Sequence, residues 1–206
     1  MQHRGAHVGR GCRSADVKVG ELEVQRSRQV VVTGNDGGSS GVEARDLRLC
    51  GIERRRRLRF AEIEIGGKPA GIAIAPDGKT AYVTAPDSKS LVVIDTEARE
   101  VTGRISLGEG PLGIAVHPDG KRVFVADWYE HKLYSVEPAA GRVTGSVDVG
   151  LSPSGVAVTP DGKTILTADR DSNEVSLIDA ETFTRTRTVE VGTRPFGVTT
   201  DADGRR

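Results

Sequence analysis

Three tripeptides set the architecture of this chain. Pro76-Asp77-Gly78 recurs as Pro118-Asp119-Gly120 and Pro160-Asp161-Gly162, a step of 42 residues each time. Pro69-x-Gly71 recurs at the same step as Pro111-x-Gly113, Pro153-x-Gly155 and Pro195-x-Gly197. Gly66, Gly108, Gly150 and Gly192 keep the beat, as do the acidic residues Asp95, Glu137 and Asp179. Units repeating without a gap bury their apolar faces on their neighbours, so the fold must be a stack of like modules.

Within one unit the pattern is β throughout. Gly71 to Ala75 reads as a short apolar strand, and Pro76-Asp77-Gly78-Lys79 as a turn in which Pro presets φ and Gly accepts positive φ. Thr80 to Thr84 (TAYVT), Leu91 to Asp95 (LVVID) and Val101 to Leu107 (VTGRISL) are three further strands, rich in Val, Ile, Thr and Tyr and bounded by Gly, Pro and Asp. No stretch in 61–206 sustains helical apolar spacing. Four short antiparallel strands every 42 residues predict an all-β fold, a partial β-propeller of four-stranded blades. A β-solenoid is the alternative, although its coils usually repeat in far fewer residues.

The second strands read AYVTA (Ala81 to Ala85), VFVAD (Val123 to Asp127) and ILTAD (Ile165 to Asp169), followed by VVID, YSVE and SLID. With the P-x-G opening and the PDG-K turn, these units resemble the YVTN-type β-propeller repeat family of YncE-like proteins over about 150 residues. The resemblance implies a blade architecture more than an activity. It also implies a periplasmic or extracellular setting. Related propellers form chains of amine dehydrogenases and haem-binding reductases.

Three whole units run from about 66 to 191, and a fourth begins at Gly192. The expected organisation is 49–206 as blades, and 1–48 as either a degenerate first blade or a poorly ordered leader. In favour of the blade, Leu49 to Glu53 falls in phase with Leu91 to Asp95, Glu62 to Gly66 with Arg104 to Gly108, and Leu22 to Thr33 loosely resembles Ala157 to Thr167. An open stack of blades exposes strand edges and sheet faces. The chain is therefore expected to be a fragment of a longer product or, if complete, to associate with itself through those open edges.

Strand parity puts the loop leading into strand one and the loop between strands two and three on the same face. That face collects Lys68, Leu112, Ser154 and Arg194, together with Pro86 to Lys89, Trp128 to His131 and Arg170 to Asn173. Asp127-Trp128-Tyr129-Glu130-His131 is its most unusual segment and carries the only Trp. Exposed aromatics beside charge suit stacking on a ligand, peptide or protein partner. The expected ligand- or partner-binding residues are Trp128, Tyr129, His131, Arg170, Arg194 and Lys68. The bland alternative is that Trp128 caps the adjacent blade. A weaker idea is a metal ion held by Asp127, Glu130, His131, Asp169 and Asp171, against the ordinary use of Asp in turns.

No catalytic constellation, G-x-S-x-G elbow or C-x-x-C-H haem motif is present. Neither catalytic residues nor a cofactor nor a resident metal is expected. His117 reads as a surface residue. Two cysteines, Cys12 and Cys50, exclude a disulfide scaffold, and no run of about 18 apolar residues supports a membrane-spanning helix. Lys+Arg 29 balances Asp+Glu 29, but the basic residues concentrate in 1–60. The run Arg54 to Arg59 is a weak nucleic-acid candidate and otherwise a solvated turn. The N-terminus has Arg4, Arg10 and Arg13 but no apolar core of a signal peptide. The expected function is a non-catalytic binding or scaffold protein using its blade-top loops. The alternative is a propeller segment of a redox enzyme.

Overall fold

The architecture comes from a computed structural model, which describes residues 31–33, 62–66 and 68–201. Twelve strands form three four-stranded antiparallel sheets in simple sequential order. The first blade holds β3 (Ile72–Ile74), β4 (Thr80–Ala85), β5 (Ser90–Asp95) and β6 (Glu100–Ser106). The second holds β7 (Pro111–Val116), β8 (Val123–Asp127), β9 (Lys132–Glu137) and β10 (Arg142–Asp148). The third holds β11 (Pro153–Val158), β12 (Thr164–Asp169), β13 (Glu174–Asp179) and β14 (Thr184–Glu190). Three separate antiparallel sheets exclude the solenoid alternative. Among the described residues there is no α-helix, and so none long and apolar enough to cross a membrane.

The repeated tripeptides explain themselves locally. In each PDG turn the Asp carboxylate accepts the N–H two residues on: Asp77 from Lys79 (2.9 Å), Asp119 from Lys121 (2.8 Å), Asp161 from Lys163 (3.0 Å). The Gly that follows each Asp sits at φ near +70°, a region costly for any side chain. The periodic acidic position caps the bend between strands three and four. Asp95 accepts from Glu97 and Ala98, and Asp179 from Glu181 and Thr182. In the second blade Pro138 has removed one of those donors, and Glu137 makes no side-chain cap.

Each blade has a near face toward the preceding unit and a far face toward the next. Tyr82, Leu91 and Ile105 on the far face of the first blade pack with Val123, Val125, Ile114 and Val116 on the near face of the second. Phe124, Leu133 and Val147 repeat the arrangement against Ile165, Ile178, Val156 and Val158 of the third. Phe124 and Phe183 stack across this second junction with centroids 5.9 Å apart. Burying one such large apolar side chain contributes roughly 1.5–3 kcal/mol, so the junctions hold the stack together.

The innermost strands approach one another closely. A Cβ at Gly113 would press into the Ser154 carbonyl, and at Gly71 into the Leu112 carbonyl. This is why the P-x-G element needs its glycine. The Thr84 hydroxyl donates to Leu112 O (2.8 Å) and the Ser154 hydroxyl to Phe196 O (2.7 Å), tying each blade to the start of the next.

β2 (Glu62–Glu64) lies on the near face of the first blade, where Ile63 and Ile65 pack on Val83, Val92 and Ile94. This is the position its phase with Arg104 to Gly108 predicts for an outermost strand. β1 (Val31–Thr33) pairs with β2 in parallel, whereas neighbouring strands of a four-stranded blade run antiparallel. The expected match of Leu22 to Thr33 to a blade's first two strands is therefore not what Val31–Thr33 forms. Leu49 to Glu53, the Arg54 to Arg59 run, Cys12 and Cys50 lie outside the described residues.

Candidate binding face

Strand order brings the strand-two/three loops and the lead-in loops to one face, and hydrogen bonds interlock them. Trp128 N–H donates to Gly110 O (2.8 Å), Arg170 N–H to Ser152 O (3.2 Å) and Asp171 N–H to Leu151 O (3.1 Å). Two buried carboxylates fix the geometry. Asp127 accepts N–H groups from Gly110 (2.9 Å), Tyr129 (3.0 Å) and Glu130 (2.9 Å). Asp169 accepts from Gly150 N–H (3.0 Å) and from the hydroxyls of Ser176 (2.6 Å) and Thr167 (2.8 Å). Burial pushes the Asp169 carboxyl above the usual carboxylate value despite these donors. The first blade has Ala85 at this position and so has no such clamp.

The clamped loops present the aromatic segment. The Arg170 guanidinium lies over the Trp128 ring, 5.6 Å from its centroid. Its Nη1 is 3.3 Å from Asp171 Oδ1, and Asp171 Oδ2 accepts the Ser152 hydroxyl at 2.7 Å. Tyr129 lies over Gly110 with 69% of its surface exposed, and Leu151 is 50% exposed. Beneath them the Tyr134 hydroxyl donates to Glu130 Oε2. Burial first, then that carboxylate, holds the phenol far above its ordinary value. The face therefore offers a guanidinium on an indole, an exposed phenol and an exposed leucyl side chain on a rigid base.

Of the expected binding residues, the structure brings Trp128 and Arg170 into contact and leaves Tyr129 open. His131 sits at φ 57°, the left-handed position also taken by Lys89 and Asn173 in the other blades. Its Nδ1 accepts Ser152 N–H at 3.1 Å, so one ring nitrogen serves as an inter-blade tie. Arg194 is exposed and its N–H is held by Asn173 Oδ1 (2.8 Å). Lys68 is exposed at the lead-in to the first blade. Neither of these two joins the Trp128–Arg170 pair. The metal idea fails here: no three potential ligands gather among the described residues, and Asp127 and Asp169 are buried and spent on protein donors.

His117 departs from its expected surface role. Its side chain is 12% exposed, with Nε2 2.9 Å from Gly162 O and its ring edge-on to Phe124. It ties the second blade to the turn of the third. Sequence reasoning also passed over the clamp role of Asp127 and Asp169. The available signal was their 42-residue spacing at the ends of two second strands.

Three twisted four-stranded antiparallel sheets stacked face to face, with their lead-in loops gathered at one end, define partial β-propeller blades. No family model matches the chain. Comparison with curated proteins returns no match. Among solved structures the chain is similar to hydrazine synthase from Kuenenia stuttgartiensis, with TM-score 0.64 and 27% identity over 66% of this chain and 40% of that one. It is also similar to a functionally unknown protein from Desulfotomaculum acetoxidans DSM 771, with TM-score 0.63 and 18% identity over 68% of this chain and 48% of that one. The second likeness concerns the fold alone. The chain spans less than half the length of either.

Proposed function

We propose that this chain belongs to a non-catalytic binding or scaffold propeller of the YVTN-repeat, YncE-like type, which holds a ligand or protein partner on the blade-top loops of its second and third blades. The observation that carries the reading is the Arg170–Trp128 pair flanked by exposed Tyr129 and Leu151. Trp, Tyr and Arg dominate binding hot spots because they offer large contact area with few rotatable bonds. The clamps at Asp127 and Asp169 hold them in place before binding, which lowers the ordering cost. Trp128 is the only tryptophan, so its fluorescence reads the site directly. A panel of acidic, neutral and basic peptides and of aromatic carboxylates should contain members that change its emission saturably. Arg170→Ala and Tyr129→Ala should each weaken that binding. No saturable change with any member would sink the reading.

The likeness to part of hydrazine synthase favours a second reading, in which these blades are one segment of a redox enzyme. A visible absorbance band in the purified protein would support that reading, and its absence, together with peptide binding, the first.

A further inference from the structure

We propose that two copies of this chain associate head to tail, with the far face of the third blade in one copy meeting the near face of the first blade in the other across a blade to which both contribute strands.

The two internal junctions show what a covered face looks like. Tyr82, Leu91 and Ile105, then Phe124, Leu133 and Val147, are packed into the junctions by the following blade. Forty-two residues on, Leu166, Val175 and Val189, joined by Leu177, present the same apolar pattern on the third blade but are only half-buried. The innermost part of this face alone is covered. There Ser154 donates to Phe196 O (2.7 Å) and Thr200 to Val158 O (3.3 Å), which sets residues 195–200 where a next blade's innermost strand belongs.

The opposite end is the complement. Ile63 and Ile65 cover the outer part of the first blade's near face from the position of an outermost strand. The inner part is open: Ile72 is 47% and Ile74 46% exposed, although their counterparts Ile114 and Val116 pack into a junction. One end thus carries an innermost strand without outer ones. The other carries an outermost strand, with its partner β1, and no inner one. A second copy supplies to each end what it lacks. The charges agree: Arg187 is exposed on the far face of the third blade, where the first two blades have Gly103 and Gly145, and Glu62 is exposed on β2. A contact between unlike ends is heterologous, and closes into a ring where the rotation permits.

The test uses the 206-residue chain in sedimentation and light scattering, with two variants. Wild type is expected to sediment as two or more chains. Leu177→Asp spoils one end and Ile72→Asp the other. Neither residue is fully buried, so both variants keep their blades, checked by circular dichroism. Each should weaken association at least tenfold. An equimolar mixture should recover a heterodimer, because each variant keeps the end that the other has lost. A wild type that stays monomeric at its highest soluble concentration overturns the proposal. So do variants that associate like wild type, or a mixture that does not recombine.

Discussion

Oδ2 of Asp127 accepts the Gly110 N–H at 2.9 Å inside the protein, and this bond joins the end of β8 to the lead-in of β7. The other oxygen takes the N–H groups of Tyr129 and Glu130, so one carboxylate shapes the whole turn that presents Trp128. A buried carboxylate with three backbone donors is a scaffold element, which is how a loop with exposed aromatics stays ordered.

Removing it leaves three donors without their acceptor. Asp127→Ala should cost about 3 kcal/mol, given roughly 1–3 kcal/mol for each buried polar group left unmade and partial rescue by water. Asp87→Ala, on the exposed loop of the first blade, should be near neutral. Urea unfolding of both variants checks the contrast.

Gly113 has the Ser154 carbonyl where a Cβ would go. Gly113→Ala should therefore push the second and third blades apart and cost about 2 kcal/mol or more, in the range of overpacked cores. Gly192→Ala meets nothing within 4 Å and should leave the melting temperature unchanged. Equal melting temperatures for the two variants would contradict the close packing of the inner strands.

The Arg170–Trp128 contact should be visible spectroscopically while contributing little to stability. Arg170→Ala should alter Trp128 emission and lower stability by less than about 1 kcal/mol, the scale of an exposed cation–π pair. Arg170→Lys should keep part of the spectral effect. Unchanged emission in Arg170→Ala would mean that the pair does not form in solution.

Stability should depend on pH with opposite signs at two aspartates. Burial raises the Asp169 carboxyl above its ordinary 3.8, so the folded chain keeps that proton to higher pH than the unfolded chain. The Asp169 contribution therefore falls as pH rises from 3.8 through the raised value. At Asp179 the N–H and hydroxyl of Thr182 lower the carboxyl. Its contribution is present above 3.8 and is lost as pH falls through the lowered value. Denaturant unfolding of Asp169→Asn across a pH series should show its cost relative to wild type shrinking as pH rises. A constant or growing cost would reverse the sign.

Much of the fold was legible because the repeat makes turn chemistry visible three times over. Asp77, Asp119 and Asp161 announce the same turn, and TAYVT, VFVAD and ILTAD the same strand. The face shared by Trp128 and Arg170 followed from strand parity. The clamp role of Asp127 and Asp169 did not, because an Asp beside a loop reads as an ordinary turn residue until burial is known. His117 was misread for a similar reason: its contacts with Gly162 and Phe124 include one 45 residues away, across a junction. Val31–Thr33 was misread because loose similarity of a short segment does not fix which strand it pairs with.

By itself the sequence determined the unit: a 42-residue, four-stranded module with its turns at Pro-Asp-Gly and its glycine in P-x-G. These are local matters of φ, hydrogen-bond capping and period-two burial. Only the tertiary structure decided which carboxylates are buried clamps, which apolar face finds a neighbour, and which ends stay open. Those outcomes depend on what lies 42 residues away across a junction, and no single unit's backbone preferences contain that information.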